Sequence, residues 1–442
     1  MGIFKNRNFS LMFVGRLVSN IGGSLYAVAA MLLIYDLGGS TFYTGLAGFL
    51  SILPRIVEFC SGPLIDRIPI RSLLIRTQMI QSVLLLIIPL AAMFNFLSVA
   101  LVLIITPIIS TFNVLIYPAQ MAALPKVLPE KDLTKGNSLF TIAYQGVDIS
   151  FNGIAGILFV MIGPFALYLA NSAAFLVGAI LFSFIRLTQK SDSSSEKKSL
   201  STDSSTVEAV TKQKRNMKES LDRYIHDLKE GVSVIVGSFF AKILAGVIIL
   251  NFVSAATFAV FPEFGLEIGG TEYVGFLLVA SAVGSLAGAL IAPVLKLERF
   301  PLGKMYTVGY LFAGTCWALA AWAPTGWMTL VLYAIAWIPA GALNIVILTA
   351  LQKIVPKHLM GRVFTAATSL SGIAAPIGHL FGGSLGVWTG SIFIVTLCGS
   401  IVILVALYWL VDPECRNLPA TENMSEDDLP MNRLPVGQQV TT

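Results

Sequence analysis

Ala123-Leu-Pro-Lys-Val-Leu-Pro129 and Ala350-Leu-Gln-Lys-Ile-Val-Pro356 are two versions of one segment, and each follows a long apolar run. Asp66-Arg-Ile-Pro69 and Glu298-Arg-Phe-Pro301 form a second such pair. Each segment ends on a proline, which fixes its own φ and pushes the preceding residue out of the helical region, so each marks a helix boundary. One pair could arise by chance. Two pairs at corresponding points indicate a duplicated chain.

The repeated unit is read from the apolar runs between these marks. The chain has 442 residues, of which 56% are hydrophobic and only 12% charged. A soluble domain carries roughly 25% charged residues, so most of this surface faces something other than water. A spanning helix needs about 20 mostly apolar residues. Twelve runs qualify: 9–35, 42–64, 73–93, 97–117, 137–161 and 165–185, then 239–261, 273–295, 305–322, 327–348, 363–387 and 392–410. The expected fold is an all-α membrane protein of twelve transmembrane helices in two pseudo-symmetric six-helix bundles, 1–187 and 237–411. Parallel six-helix repeats with a site between them are a transporter design.

Orientation follows from Lys and Arg in the connections. With the N-terminus inside, the inner connections hold Arg67 and Arg71, then Lys126, Lys131 and Lys135, then Lys296 and Arg299, then Lys353, Lys357 and Arg362; the outer connections hold none. Both termini are therefore expected in the cytoplasm. The short basic N-terminus with Lys5 and Arg7 leads into an apolar run too long for a signal peptide, so it reads as a retained first span. Residues 188–236 read as a cytoplasmic linker. Its Ser-, Thr- and Lys-rich part cannot bury a core, and Leu221, Ile225 and Leu228 suggest a surface helix near its end. His226 lies among charges there and reads as solvated. Residues 412–442 are polar and acidic and read as a disordered cytoplasmic tail.

Several function classes fall away. No basic block carries the interleaved aromatics of a nucleic-acid surface. Cys60, Cys316, Cys398 and Cys415 lack metal or disulfide spacing. No nucleophile elbow or phosphate loop stands out, so an enzyme is not expected. No cofactor is implied, and the expected partners are a small-molecule substrate and the lipid bilayer, with the protein a monomer.

Charges inside a membrane are costly and usually functional. Arg16 falls in the first span, Arg55 and Glu58 in the second, and Asp148 in the fifth. Arg55 and Glu58 are three residues apart and share a helix face. They read either as a self-neutralising pair or as part of the coupling machinery. Asp148 has no opposite charge in its own span, which makes it and Glu58 candidates for reversible protonation, with Arg16 a possible partner for either. His379, in the eleventh span, could also titrate, although a satisfied core histidine is the simpler reading. Gly284 and Gly288, four apart in the eighth span, suit close helix packing.

Gly62-Pro-Leu-Ile-Asp66-Arg67-Ile-Pro-Ile-Arg71 resembles the G-x-x-x-D-R-x-x-R signature of the major facilitator superfamily. The segments 128–137, Leu228-Lys-Glu-Gly231, Gly361-Arg-Val-Phe364 and Ala375-Pro-Ile-Gly378 resemble its drug-efflux branch, which includes the macrolide exporters. The resemblance implies alternating access, with export driven by proton entry across a plasma membrane, a bacterial inner membrane by its usual home. It also implies that Asp66 and Arg67 meet the helix beginning near Gly361 and Arg362, as a cytoplasmic gate. The fifth span, with Phe151-Asn-Gly-Ile-Ala-Gly156, lacks the proline of the antiport motif; a looser version, from Gly372 through Pro376 and Gly378 to Gly382 and Gly383, lies in the eleventh. A specific metabolite such as a siderophore would use the same motifs, and a non-transporting membrane sensor is the remaining alternative.

Overall fold

The computed structural model describes residues 3–52, 54, 69–185, 232–233, 235–236, 239–356 and 359–424. Its principal helices are α1 (Arg7–Gly38), α2 (Thr41–Ile52), α3 (Ile70–Met93), α4 (Val99–Val127), α5 (Glu130–Ser183), α6 (Phe240–Ile268), α7 (Glu272–Val294), α8 (Leu302–Ala320), α9 (Gly326–Ile354), α10 (Met360–Thr389), α11 (Ser391–Val411) and the short α12 (Pro413–Arg416). Among the described residues, regular structure is helical apart from one isolated bridge, Pro301 to Ala420.

The duplication is visible in the helix ends. Ser98 and Thr325 each cap a 29-residue helix, their hydroxyls accepting from Leu101 N and Met328 N. Those helices end alike. Leu128 and Val355 are extended, precede Pro129 and Pro356, and donate their N–H to the carbonyls of Leu124 and Leu351. Pro69 (φ −54°, ψ 117°) and Pro301 (φ −55°, ψ 122°) start α3 and α8 in nearly one geometry. Gly163 (φ 77°, ψ 164°) and Gly390 (φ 79°, ψ 164°) turn the chain at matching points. Positive φ at both favours glycine over any L side chain. Gly163 is followed at once by Pro164, so the predicted spans 137–161 and 165–185 are joined by a single-residue break inside α5.

Nine helices among the described residues are long and apolar enough to cross a membrane. Three of the twelve expected spans are not counted separately among these. Within α5 only Ile154–Ser183 qualifies as one run. The helix Leu302–Ala320, the expected ninth span, carries Lys304, two tyrosines and three glycines and falls short in hydropathy. The second span is described only as the short Thr41–Ile52. Large apolar side chains stay exposed along these helices, Trp388, Val294 and Val308 among them, as a lipid-facing surface allows.

The two ends of the bundle differ in charge. The terminal end carries Arg7, Arg71, Lys296, Arg299, Lys304 and Lys353, at or near the ends of helices. The opposite end carries Asp36, Glu263, Glu267 and Glu272.

Part of the expected disordered tail is ordered. Lys242, in the first turn of α6, lies 2.6 Å from both Asp412 and Glu414. Asp412 also caps α12, and the Lys242 ammonium beside it holds its carboxyl down at about 2. Leu302 and Gly303 donate to the carbonyls of Pro419 and Leu418, Lys353 donates to the Thr421 carbonyl, and Arg299 meets Glu422 at 3.4 Å. Residues 412–424 therefore strap together the terminal ends of α6, α8 and α9. An acidic tail among basic helix ends, with Cys415, Leu418 and Met424 buried beneath it, has both charge and apolar area to hold it. Lys242, an odd charge in a predicted span, is explained by this strap.

Candidate functional site

Helices from the two halves meet at the end opposite the termini, along two seams. In the first, α2 packs on α10. A Cβ at Gly45 would stand 2.8 Å from Gly383 Cα and 2.5 Å from the His379 carbonyl oxygen. In the second, α5 packs on α7, and a Cβ at Gly156 would stand 2.6 Å from Gly275 Cα. No side chain larger than hydrogen fits at these points without movement, so the backbones touch. Close approach of this kind lets dispersion and backbone contacts hold helices in lipid. The first seam adds hydrogen bonds. Thr41 Oγ1 donates to the Gly383 carbonyl at 2.9 Å, and Thr44 Oγ1 to the Ala259 carbonyl of α6.

Helix α10 carries glycine on two faces. Gly378 and Gly382 seat it on the α6 backbone at Phe252 and Ala256, while Gly383 and Gly386 seat it on α2 at Gly45 and Thr41. The run from Gly372 to Gly383 thus has a packing role, although Gly372 itself meets nothing within 4 Å. His379 is half-buried, with its ring against Gly48 of α2.

Toward the terminal end lies a cleft of about 160 Å³ between α6, α9 and α10. Ile243, Val247, Leu348, Leu351 and Phe364 give it apolar walls, with Asn344, Thr368 and Ser371 as neutral polar groups. Among the described residues, no ionisable side chain lines it.

Of the residues singled out from sequence, Arg55, Glu58, Gly62, Asp66 and Arg67 lie outside the described residues. Arg16 is buried on α1, 3% exposed. Asp148 lies on α5, whose earlier turns run beside the first half of α1: Phe9 and Phe13 pack on Phe140, and Asn20 Nδ2 donates to the Ala143 carbonyl. Arg71 is exposed at the start of α3 and donates to the Ser183 carbonyl at the end of α5, a cation on a helix C-terminus within one half. Gly361 and Arg362 open α10, with Arg362 half-buried.

Sequence reading missed the seams. Their signal was present as small residues at helical spacing, Thr41, Thr44, Gly45 and Gly48 on α2 and Gly383 and Gly386 on α10, but small residues do not say which helix they face. It also missed the acidic group at the seam end, where Ser391 Oγ donates to Glu267 and Glu263 lies one turn away on α6.

Comparison with known proteins agrees with this architecture. A bacterial homologue of the human lysosomal transporter Spinster, inward-facing and unoccupied, superposes with a TM-score of 0.63 at 14% identity, covering 94% of this chain and 96% of that one. A POT family transporter in complex with a thioalcohol-conjugated peptide gives 0.61 at 16% identity, covering 92% and 96%. At those identities the likeness is one of fold. In sequence, the MFS-type transporter YkuC of Bacillus subtilis (strain 168) is 25% identical over 374 residues, 82% of each chain. Macrolide efflux protein A of Streptococcus pyogenes is 23% identical over 423 residues, 93% of this chain and 97% of that one. The family model described as Major Facilitator Superfamily matches residues 12–379, and with a duplicated all-helical membrane fold beneath that match, this chain belongs to the major facilitator superfamily of transporters.

Proposed function

We propose that this transporter exports hydrophobic or amphipathic small molecules by alternating access, driven by proton entry, with both termini in the cytoplasm of a plasma membrane. The observation that carries the substrate class is the cleft at the terminal end. Apolar walls with Asn344, Thr368 and Ser371 as its polar groups suit one apolar portion of a ligand, held by burial and oriented by a few hydrogen bonds. A multiply charged substrate would find no partner among those side chains. The similarity to a macrolide efflux protein across nearly the whole chain supports the same class. The segregation of Lys and Arg to the terminal end supports the orientation. In that orientation the two seams shut the outer face, and the cleft lies on the cytoplasmic side, where an exporter takes up its load.

The test uses inside-out vesicles energised with an acid interior and a pH-sensitive dye. Hydrophobic antibiotics are added to wild type and to Asp148→Asn and Glu58→Gln. Substrate-dependent loss of the gradient, absent in one variant, is the expected result and identifies a proton carrier. Silence across a broad panel contradicts drug export and favours a single-metabolite substrate.

A further inference from the structure

On the α10 side of the α2/α10 seam lies an ionisable side chain, His379, and its setting gives it a task. The His379 ring lies against Gly48, and a methyl group at position 48 would overlap Nδ1. Nδ1 is buried and has no hydrogen-bond partner among the described residues. The neighbours among the described residues are uncharged. The described part of α2 contributes Tyr43 as its one titratable group, five residues before Gly48. From α6, Phe252, Ala255 and Ala256 face this part of α10; Lys242 lies toward the opposite end, and Glu263 is two turns or more beyond Ala256 toward the shut end, with Glu267 further still. Within α10 the other ionisable residue is Arg362, at the far end. Arg55 and Glu58 follow α2 in the chain, outside the described residues.

We propose that His379 is a proton-sensing residue of the transport cycle, protonated while the α2/α10 seam is open and neutral when it is shut. A protonated ring carries N–H on both nitrogens, so one of them faces Gly48 with no acceptor or counter-charge among the described residues. An unpaired charge in that setting is costly. Seam closure and ring protonation therefore oppose each other. When the helices part, water reaches the ring, and the imidazole takes up one proton from the side that has opened. Before the helices close, the ring must give that proton up, because the charged ring cannot return to Gly48. Acid on the opened side therefore holds the seam open, and loss of the proton lets it shut. Gly48 is part of the device, since any larger residue displaces the ring.

This proposal rests on the proton-driven reading above, yet its test needs no substrate, so the two fail separately. Ser40 and Trp388 border one depression at the shut end, on opposite halves. Spin labels at Ser40→Cys and Trp388→Cys, in a background with the four native cysteines replaced, report the opening. Between about pH 8 and about pH 5.5, a window that brackets ordinary histidine titration, the long-distance population of the otherwise wild-type protein is expected to grow several-fold. In His379→Gln and His379→Asn it should stay constant, with Asn serving if Gln does not fold. Gly48→Ala should raise the long-distance population already at about pH 8. A His379 variant that keeps the full pH response, a parent protein with none, or a Gly48→Ala protein that stays shut would each overturn the proposal.

Discussion

Across one seam Gly45 meets Gly383, and across the other Gly156 meets Gly275. The duplication relates the two contacts, because α2 corresponds to α7 and the first part of α5 to α10, and Gly156 stands before Gly163 as Gly383 stands before Gly390. Four residues before Gly383 is His379; four before Gly156 is Asn152. Three residues after Gly45 is Gly48; three after Gly275 is Leu278. The backbone contact has thus been kept in both copies, while the side chains around it have diverged. A glycine that makes room for a titratable ring exists on one seam alone. Closing the bundle needs both contacts; sensing protons at a seam needs one.

The largest effect should come from glycines outside this comparison, which set its baseline. Gly284 and Gly288 of α7 lie on the backbone of α9 at Ala334 and Ile338, and Gly341 of α9 lies on Ser285. Gly288→Val forces two backbones of one half apart, at or beyond the upper end of the ~1–3 kcal/mol typical of overpacking. The expected outcome is loss of folded protein, read by yield and thermal unfolding in detergent.

Gly45→Val and Gly156→Val should behave differently, because their clashes exist only while the end is shut. A penalty of ~1–3 kcal/mol confined to one state shifts the open-to-shut ratio by about 5- to 150-fold. Both variants are expected to fold, to melt near wild type, and to show long distances in the spin-label measurement. If only one of them opens the end, the seams do not act together.

The comparison is sharpened by Asn152→Ala. It should leave the acid-dependent opening unchanged, whereas His379→Gln removes it. An equal loss in both would place the response in general seam stability and not in the imidazole.

The smallest effect concerns the tail strap. The Asp412 carboxyl is held near 2, below its ordinary ~3.9. Its contribution is therefore fully present above about pH 4 and is lost as the pH falls toward 2. Resistance of the tail to limited proteolysis should be flat from neutral pH to about 4. Asp412→Asn should weaken it modestly at neutral pH, more so at low salt, as expected for an exposed ion pair.

The fold was largely legible because lipid imposes a simple rule: long apolar runs, with cations gathered at one end. The repeated Pro-terminated segments added the duplication, and the helix caps reproduce it residue by residue. Two features were hidden. The single-residue turn at Gly163 reads in sequence like any short connection. The strap over 412–424 reads as a polar tail until its partners, Lys242, Gly303 and Lys353, are seen on three different helices. Of the site, sequence reading could rank charges such as Arg16 and Asp148 by the cost of burying them. It could not see that uncharged glycines and threonines make the contact between halves, because that contact depends on which helix each one faces.

For the transporter to work as proposed, the shut end must open in every cycle. Thr41 and Gly386 test it most directly, because a Cβ at Gly386 would stand 3.5 Å from that of Thr41, within the range of a disulfide. With native cysteines replaced, Thr41→Cys and Gly386→Cys are oxidised together in the vesicles used for the antibiotic panel. Oxidation should stop substrate-dependent proton release and a reductant restore it, while each single variant behaves alike with and without oxidant. Undiminished transport by the fully cross-linked protein would contradict that requirement.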